Sequence, residues 1–175
     1  MYKYICLFFM LNFIYSGFKV GMDFNSEVEL SFMGESIEYD LDNGFSFGFQ
    51  TNRQGNGLSF GIEYLTETEI EDGTGDAEVS LVSVYALYPF YTAPVANAQT
   101  VVSGMVGYSM PDLSFDGESL DLDMEGGLMY GIVAVFNNHY SAAMTFHNGE
   151  FGPSGYSSSS NADLDVSRFT LSYVF

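Results

Sequence analysis

Apolar and polar residues alternate over most of this 175-residue chain, so that every second side chain is apolar. A period of two is typical of β-strands that present one face to an apolar environment and the other to a polar one. The alternation is found in ten runs, at residues 18–24, 27–32, 37–42, 45–51, 58–70, 77–88, 98–109, 119–136, 140–147 and 166–175. Because apolar residues rarely recur at helical spacing, the pattern predicts an all-β protein.

The phase of the alternation reduces these ten runs to eight strands. Apolar residues occupy even positions from Phe18 to Phe32 and odd positions from Ile37 to Phe49, so each segment is predicted to be one strand with the same face outward. Compact turns are predicted at 52–57, 89–97 and 137–138, and on average longer loops at 33–36, 72–76, 111–118 and 148–163. This arrangement predicts an eight-stranded antiparallel up-and-down transmembrane β-barrel.

Composition and charge narrow the class of protein. Hydrophobic residues make up 47% of the chain and aromatic residues 17%, without any Trp, and 23 Asp and Glu residues oppose four Lys and Arg residues, for a net charge of -19. So few cations exclude nucleic-acid binding, which needs clustered Lys and Arg. The lone Cys6 excludes an intramolecular disulfide and any metal site built from several cysteines.

The N-terminal residues 1–17 are predicted to be a signal peptide. Lys3 precedes an apolar stretch from Ile5 to Ile14, and small residues follow at Ser16 and Gly17. The stretch is too short to cross a bilayer as a helix, which takes about 20 residues. The remaining residues, 18–175, are predicted to form an outer-membrane β-barrel domain.

The last predicted strand carries the most specific motif. Apolar residues occupy every second position up to the final one, at Phe169, Leu171, Tyr173 and Phe175. With this ending and the strand pattern of residues 18–175, the chain resembles the small eight-stranded barrels of the outer membrane protein A type. The resemblance implies a monomer in the bacterial cell outer membrane, in contact with outer-membrane lipid. It also implies that these four residues form the assembly signal that the barrel assembly machinery reads.

The polar phase of several strands is rich in carboxylates. With the C-terminus in the periplasm, these positions fall toward the loop end, so the pattern predicts an acidic extracellular vestibule inside the lumen, lined by Glu29, Glu38, Asp40, Asp42, Glu67, Glu69, Glu71, Glu78, Asp121, Asp123 and Glu125. Two states remain open: a hydrated vestibule with diffuse counterions, or a site that weakly binds Ca²⁺ or Mg²⁺, which prefer oxygen ligands. No other cofactor is predicted.

Arg168 is a cation at a lumen position of the last strand. Closure of the barrel brings this strand beside the first, so Arg168 is predicted to form a buried ion pair with Asp23 or Glu27, with Glu63 in reach across the lumen. Closer to the periplasm, the lumen is predicted to be closed by apolar side chains, namely Met129, Val133 and Val135, and also Val82, Val84 and Ala86 if the outward phase of their strand is odd.

The sequence offers little support for catalysis. His147 lies at a lumen position, and lipid A deacylase barrels loosely resemble this region with a His-x-Ser motif, but here the chain reads His147-Asn148-Gly149 and lacks the nucleophile. The prediction is a non-enzymatic barrel with an envelope structural or surface-interaction role. The alternatives are a lipid-active barrel enzyme, a narrow cation-preferring pore and a soluble lipocalin-like binder.

Overall fold

The computed structural model of the chain describes residues 17–51, 57–71, 77–95, 98–115, 118–119, 122–153 and 162–175. The predicted signal peptide lies outside these residues except for Gly17, which begins the first strand, so its existence and its boundary stay predictions. Within the described ranges, no helix is long and apolar enough to cross a membrane.

Ten strands form one antiparallel sheet. They are β1 (Gly17–Phe32), β2 (Glu35–Leu41), β3 (Phe45–Gln50), β4 (Ser59–Glu69), β5 (Ala77–Val95), β6 (Ala98–Phe115), β7 (Glu118–Ser119), β8 (Leu122–Phe136), β9 (Tyr140–Pro153) and β10 (Ala162–Val174).

The sheet closes on itself as an eight-stranded barrel. β10 pairs with β1 from Val174 opposite Lys19 to Asp163 opposite Ser31, which seals the seam between the two ends of the chain. β2 and β3 follow one another along the other side of β1 and occupy one place in the ring, and the short β7 pairs with the end of β6. The predicted antiparallel up-and-down barrel is therefore confirmed.

Several strands extend further than the alternation predicts. The compact turn predicted at 89–97 is wrong, because β5 stays paired with β6 as far as Val95. Pro89 is tolerated in the strand because the register shifts between Pro89 and Tyr91, and a bulge can accommodate a residue that has no N–H. The loops predicted at 111–118 and 148–163 are likewise shortened by strands β6, β9 and β10.

The predicted compact turn at Asn137 and Asn138 is confirmed. Both residues adopt the left-handed conformation, with φ of 50° and 60°, which two-residue hairpin turns require and asparagine tolerates.

The lower half of the barrel, nearer to Gly17 and Val174, has an apolar outer face. Large apolar side chains are exposed there, among them Phe45, Phe47, Phe49, Leu58, Phe60, Ile62, Tyr64, Leu128, Tyr130, Ile132, Phe136, Tyr140 and Met144. Inside, one wall of the lumen is polar, and the opposite wall is an apolar cluster of Tyr85, Leu87, Met105, Met129, Val133, Val135 and Ala143. An apolar band around a closed ring of strands suits a hydrocarbon environment, where every backbone group must be paired within the protein.

The upper half, nearer to the β1–β2 turn, has the opposite arrangement. In β1 the lumen-facing residues are odd below Asn25 and even above it, because an extra residue enters the ladder between Phe24 and Glu27. Asn25 itself has a φ of 45°. The non-strand residues 42–44 and register shifts in β4 and β8 invert the phase of the other affected strands in the same way.

The prediction that residues 18–32 and 37–49 each keep one face outward is therefore wrong. A bulge adds one residue to one strand. The apolar–polar alternation then continues along the sequence, but the apolar positions that faced outward before the bulge face the lumen after it. Above the inversions the even residues of β1 and the odd residues of β2 turn inward. They contribute to an upper apolar core formed by Val28, Leu41, Leu65, Ile70, Ala77, Val79, Leu81, Leu113, Leu164 and Val166.

The upper part of β5 has no such inversion; instead, the type of residue at its inward-facing positions changes. Its odd residues from Leu87 to Ala77 face inward, passing from Tyr85 and Ser83 to Leu81 and Val79. The conditional prediction that Val82, Val84 and Ala86 face the lumen is wrong, because the outward phase of β5 is even. The predicted lumen positions of Met129, Val133 and Val135 agree with their burial in the lower apolar cluster.

Candidate functional site

Four ionised side chains meet in the middle of the lumen. Arg168 of β10 donates from Nη2 to Asp23 Oδ2 at 2.8 Å and to Glu63 Oε1 at 3.1 Å, and Lys19 pairs with the other oxygen of Glu63. The hydroxyl of Thr170 also donates to Asp23. We call Lys19, Asp23, Glu63 and Arg168 the lumen ion cluster.

The lumen ion cluster follows from strand register. Thr170 lies directly opposite Asp23 across the β10–β1 seam, so Arg168 reaches Asp23 from two residues along the same face. Glu63 comes from β4, with β3 between it and β1, so its bonds to Arg168 and Lys19 cross a corner of the lumen. All four residues are at most 5% exposed, and their two positive and two negative charges balance. A balanced, hydrogen-bonded set limits the desolvation cost of burying charge.

Tyr85 packs beside the lumen ion cluster. Lys19 Nζ lies 5.9 Å from the centre of the Tyr85 ring, a distance at which a cation is attracted to the face of an aromatic ring. Gly61, directly opposite Tyr85 on β4, makes room for this ring, because a Cβ at Gly61 would collide with it.

The structure brings together three of the four residues predicted for the lumen ion pair, Arg168, Asp23 and Glu63. Glu27 does not join them: it follows the bulge at Asn25 and points outward, so this part of the prediction is wrong. Lys19, Thr170 and Tyr85 were not predicted as members. Lys19 has the same odd phase as Asp23, and this was the signal in the sequence that could have placed it in the lumen.

The predicted acidic vestibule is wrong for most of its members. The inversions and the even outward phase of β5 put the side chains of Glu29, Glu38, Asp40, Glu67, Glu69, Glu71, Glu78, Asp123 and Glu125 on the outer face, and Asp42 is exposed in the break between β2 and β3. Asp121 lies outside the described residues. The lumen at this height is filled by the upper apolar core, so these carboxylates lie on the outer face of the barrel wall.

These outward carboxylates form an acidic wall around the upper half, which also includes Glu27, Asp112, Glu150, Asp163 and Asp165. Cross-strand register sets many of them directly opposite one another: Glu29 opposite Glu38 and Asp165, Glu150 opposite Glu125 and Asp163, and Glu69 opposite Glu78. Opposed like charges destabilise a sheet. Of the four Lys and Arg residues, Lys19 and Arg168 are buried, while Lys3 and Arg53 lie outside the described residues.

Two carboxyl groups of the acidic wall retain protons more strongly than usual. The pKa of Glu38 is raised because its side chain hydrogen-bonds to Glu27 and is repelled by the charge of that residue. The pKa of Glu71 is raised in the same way by Asp42. In each pair, one proton relieves the repulsion between two neighbouring carboxylates.

The outer surface also has two shallow grooves in the acidic wall. One, of about 330 Å³, is lined by Glu125, Glu150, Asp163 and Asp165 around three glycines. The other, of about 250 Å³, runs from Glu27, Glu29 and Glu38 to Asp165, where Asn148 donates to Asp165 at 2.6 Å.

Comparison with known structures identifies the fold. The crystal structure of neisserial surface protein A superposes with a TM-score of 0.56 at 15% identity, over 90% of this chain and 97% of that one. The chain has the fold of the eight-stranded outer-membrane β-barrels. The attachment invasion locus protein Ail of Yersinia pestis matches with a TM-score of 0.45 at 14% identity, over 91% of this chain and 97% of that one. No protein-family model and no curated protein matches the chain.

Within this outer-membrane barrel fold, His147 lies inside the wall. It is 1% exposed, and its Nε2 is 3.0 Å from the hydroxyl of Thr145. Its Nδ1 has no hydrogen-bond partner among the described residues. A base that acted on membrane lipid would have to reach the outer surface, and His147 faces the other way.

No group of three or more His, Cys, Asp or Glu side chains in the described ranges is arranged to hold a metal ion. Binding of Ca²⁺ or Mg²⁺ to the opposed carboxylates stays a prediction.

The predicted assembly signal lies on the outer face of β10. Phe169, Leu171 and Phe175 are exposed, and the ring of Tyr173 contacts both His139 and Phe175. The N–H of Phe175 donates to the carbonyl of Phe18 at 2.8 Å, so in the outer-membrane barrel fold the last residue also closes the seam.

Proposed function

We propose that the chain is a monomeric, non-conducting and non-enzymatic barrel of the bacterial outer membrane, which holds an acidic surface outside the cell. The observation that carries this proposal is the reversal of faces between the two halves. Below the bulges the outer face is apolar, as lipid contact requires, and above them it is acidic while apolar residues turn inward, as contact with water requires. This division supports a membrane boundary across the barrel at the level of the bulges.

Closure of the lumen supports a non-conducting role. The lumen ion cluster spans from β10 to β4, and the upper apolar core fills the interior above it. An ion would have to displace four hydrogen-bonded charges and then pass an apolar layer, which favours a closed barrel over a cation-preferring pore.

The lumen also argues against a lipocalin-like binder. In a soluble barrel the bulky apolar residues would face inward, whereas here Phe45, Phe47 and Phe49 are 42–51% exposed and the lumen beside them holds buried charges. The burial of His147 similarly favours a non-enzymatic barrel over one that processes lipid.

Membrane residence and conductance test the proposal together. The full chain, expressed with its N-terminal segment, is expected in the outer-membrane fraction, with a gel mobility that changes on boiling and no single-channel conductance in planar bilayers. A soluble, detergent-independent chain would overturn the membrane assignment, and a reproducible cation current would overturn closure. An unchanged lipid A and phospholipid profile in cells carrying His147→Ala, compared with wild-type expression, is expected for a non-enzyme.

Weak association of Ca²⁺ or Mg²⁺ with the acidic wall is part of this proposal. Hard cations prefer carboxylate oxygens, and opposed pairs such as Glu29 and Glu38 gain from neutralisation. Millimolar Ca²⁺ is expected to raise the unfolding temperature of the barrel more than an equal ionic strength of Na⁺ does.

A further inference from the structure

The β1–β2 hairpin rises beyond the packed part of the barrel. Along β1, exposure increases from 0% at Val28 to 48% at Phe32, and along β2 it increases from 6% at Leu41 to 57% at Ile37. Register places Ile37 opposite Leu30, on the same inward-facing side as Val28. An apolar strip thus continues from the upper apolar core onto the hairpin, where no described residue covers its end.

Along this strip, one edge of β2 has no partner among the described residues. The N–H of Asp42 donates to the carbonyl of Glu69, and the carbonyl of Asp40 accepts from the N–H of Glu71. In a strand, the N–H and C=O of one residue point to the same side, and this side alternates from each residue to the next. The N–H and C=O groups of Ser36 and Glu38 therefore point to the same side of β2 as those of Asp40. In the described part of the chain nothing pairs with them. We call this side of residues 35–39 the β2 edge.

The turn at the tip of the hairpin is strained. Met33 has a φ of 54°, a left-handed conformation that two-residue turns normally fill with Asn, Asp or Gly, and the side chain is 87% exposed. Holding an ordinary residue in this conformation costs conformational energy. The hairpin nevertheless presents this flexible apolar side chain next to Phe32 and the β2 edge.

Among the described residues, the charged side chains beside the β2 edge are all negative. Glu38 and Asp40 project from the outer face of β2. In the sequence, no Lys or Arg lies between Lys19 and Arg53, or between Arg53 and Arg168. Edge-to-edge pairing of two copies would bring the acidic rows together, which opposes self-association. The complementary partner is cationic.

We propose that the β2 edge binds an extended polypeptide segment in which basic and apolar residues alternate, by addition of a strand to the sheet. Backbone groups of Ser36 and Glu38 pair with the added strand. Its basic residues face Glu38 and Asp40, and its apolar residues cover Ile37 and Phe32. The proposal rests on the proposed function in one respect, since it takes the upper half to lie outside the cell.

The test uses the full chain refolded in a zwitterionic detergent, with a fluorescein-labelled peptide of the sequence Lys-Val-Lys-Val-Lys-Val-Lys as the probe. Fluorescence anisotropy is expected to show saturable one-to-one binding, and hydrogen exchange is expected to show new protection at the amides of Ser36 and Glu38. The same peptide N-methylated at alternate residues on its pairing edge is expected to bind at least tenfold more weakly. Absence of binding, or protection that excludes residues 35–39, would overturn the proposal.

Variants separate strand addition from general attraction to a negative surface. Ser36→Pro removes an N–H from the β2 edge and keeps the backbone hydrogen bonds between β1 and β2. Because it also removes the 2.8 Å hydrogen bond between the hydroxyls of Ser31 and Ser36, it is compared with Ser36→Ala, and it is expected to bind at least tenfold more weakly than that variant. Glu38→Lys is expected to weaken peptide binding. Glu125→Lys makes the same charge change on the distant β8 and is expected to retain most of the wild-type affinity for the peptide. Equal losses from the two lysine variants would show diffuse electrostatic binding and overturn the β2 edge as the site.

The fold of each variant is checked by heat-modifiable gel mobility. A folded barrel that does not bind the peptide refutes this proposal and leaves the proposed function standing. A chain that does not enter the outer membrane in cells refutes the proposed function, and the detergent experiment still reports on the β2 edge.

Discussion

Replacement of Arg168 by methionine should destabilise the barrel through charge imbalance. The substitution keeps a long side chain but removes the donor that contacts both Asp23 and Glu63, and it leaves the lumen ion cluster with a net charge of -1. Removing one partner from a buried ion pair typically costs about 3–5 kcal/mol. With a urea dependence of about 2 kcal/mol per molar, the unfolding midpoint should fall by about 2 M.

A double variant isolates the charge effect from the loss of packing. Asp23→Asn alone leaves a net charge of +1, whereas Arg168→Met combined with Asp23→Asn leaves the neutral pair of Lys19 and Glu63. The two substitutions are therefore expected to lose less stability together than the sum of the single losses, by at least about 1.5 kcal/mol. Ser103→Ala on β6 is the control, because Ser103 is equally buried and its hydroxyl has no partner among the described residues.

Unfolding in urea, followed by the boiling-dependent gel mobility of each variant in lipid vesicles, measures these differences. The reasoning would be refuted by a loss below about 1 kcal/mol for Arg168→Met, or by single losses that simply add. Membrane targeting of the single variant should be unchanged, since β10 keeps its outward aromatic residues.

Three further perturbations test separate parts of the structure. Gly61→Ala should cost about 1–3 kcal/mol in urea unfolding, because its Cβ would collide with the Tyr85 ring, while Gly104→Ala, with nothing within 4 Å, should be near neutral. Deletion of Phe175 should reduce the folded fraction in the outer membrane, whereas Phe175→Tyr should restore it; equal folded fractions in the deleted and intact chains would contradict an assembly role. Glu27→Gln should lower the pKa of Glu38 toward its ordinary value, as measured by NMR titration of the side-chain carboxyl. The wild-type barrel should gain stability as the pH falls through the raised pKa of Glu38, because the folded state binds this proton more tightly than the unfolded state, and the variant should lose that gain.

The sequence predicted the barrel because lipid contact enforces alternation over most strands. The outward position of Phe47 was identified correctly, and so was the inward phase of Arg168 with Asp23 and Glu63. These residues lie below the bulges or on strands without an inversion, where counting by twos along the chain gives the true face.

The carboxylates of the acidic wall were predicted to face the lumen because a bulge leaves no mark in the alternation of apolar and polar residues along the sequence. The even residues of β1 are apolar on both sides of Asn25, yet Met22 lies on the outer face and Val28 in the lumen. Strand length held a clue: a membrane strand needs about 9–11 residues, and the 16 residues of β1 extend beyond the hydrocarbon. Past that depth the outside is water, so carboxylates turn outward and apolar residues inward.

Deletion of single residues at the β10–β1 seam tests this account of the bulge directly. Removing Asn25 leaves the same number of residues on both strands between the pairs Phe24–Phe169 and Glu27–Ser167, so the side chains of β1 keep their faces and the β10–β1 ladder becomes regular. On the other side of β1, two residues then lie opposite the three residues 42–44, which are outside the strands and can absorb the difference. Removing Ser167 instead turns Val166 and Leu164 outward and places Asp165 in the upper apolar core. The Asn25 deletion is therefore expected to give a boiling-sensitive folded band in membranes, and the Ser167 deletion is expected to give none. A folded Ser167 deletion alongside an unfolded Asn25 deletion would mean that the faces of β1 are set by something other than the extra residue at Asn25.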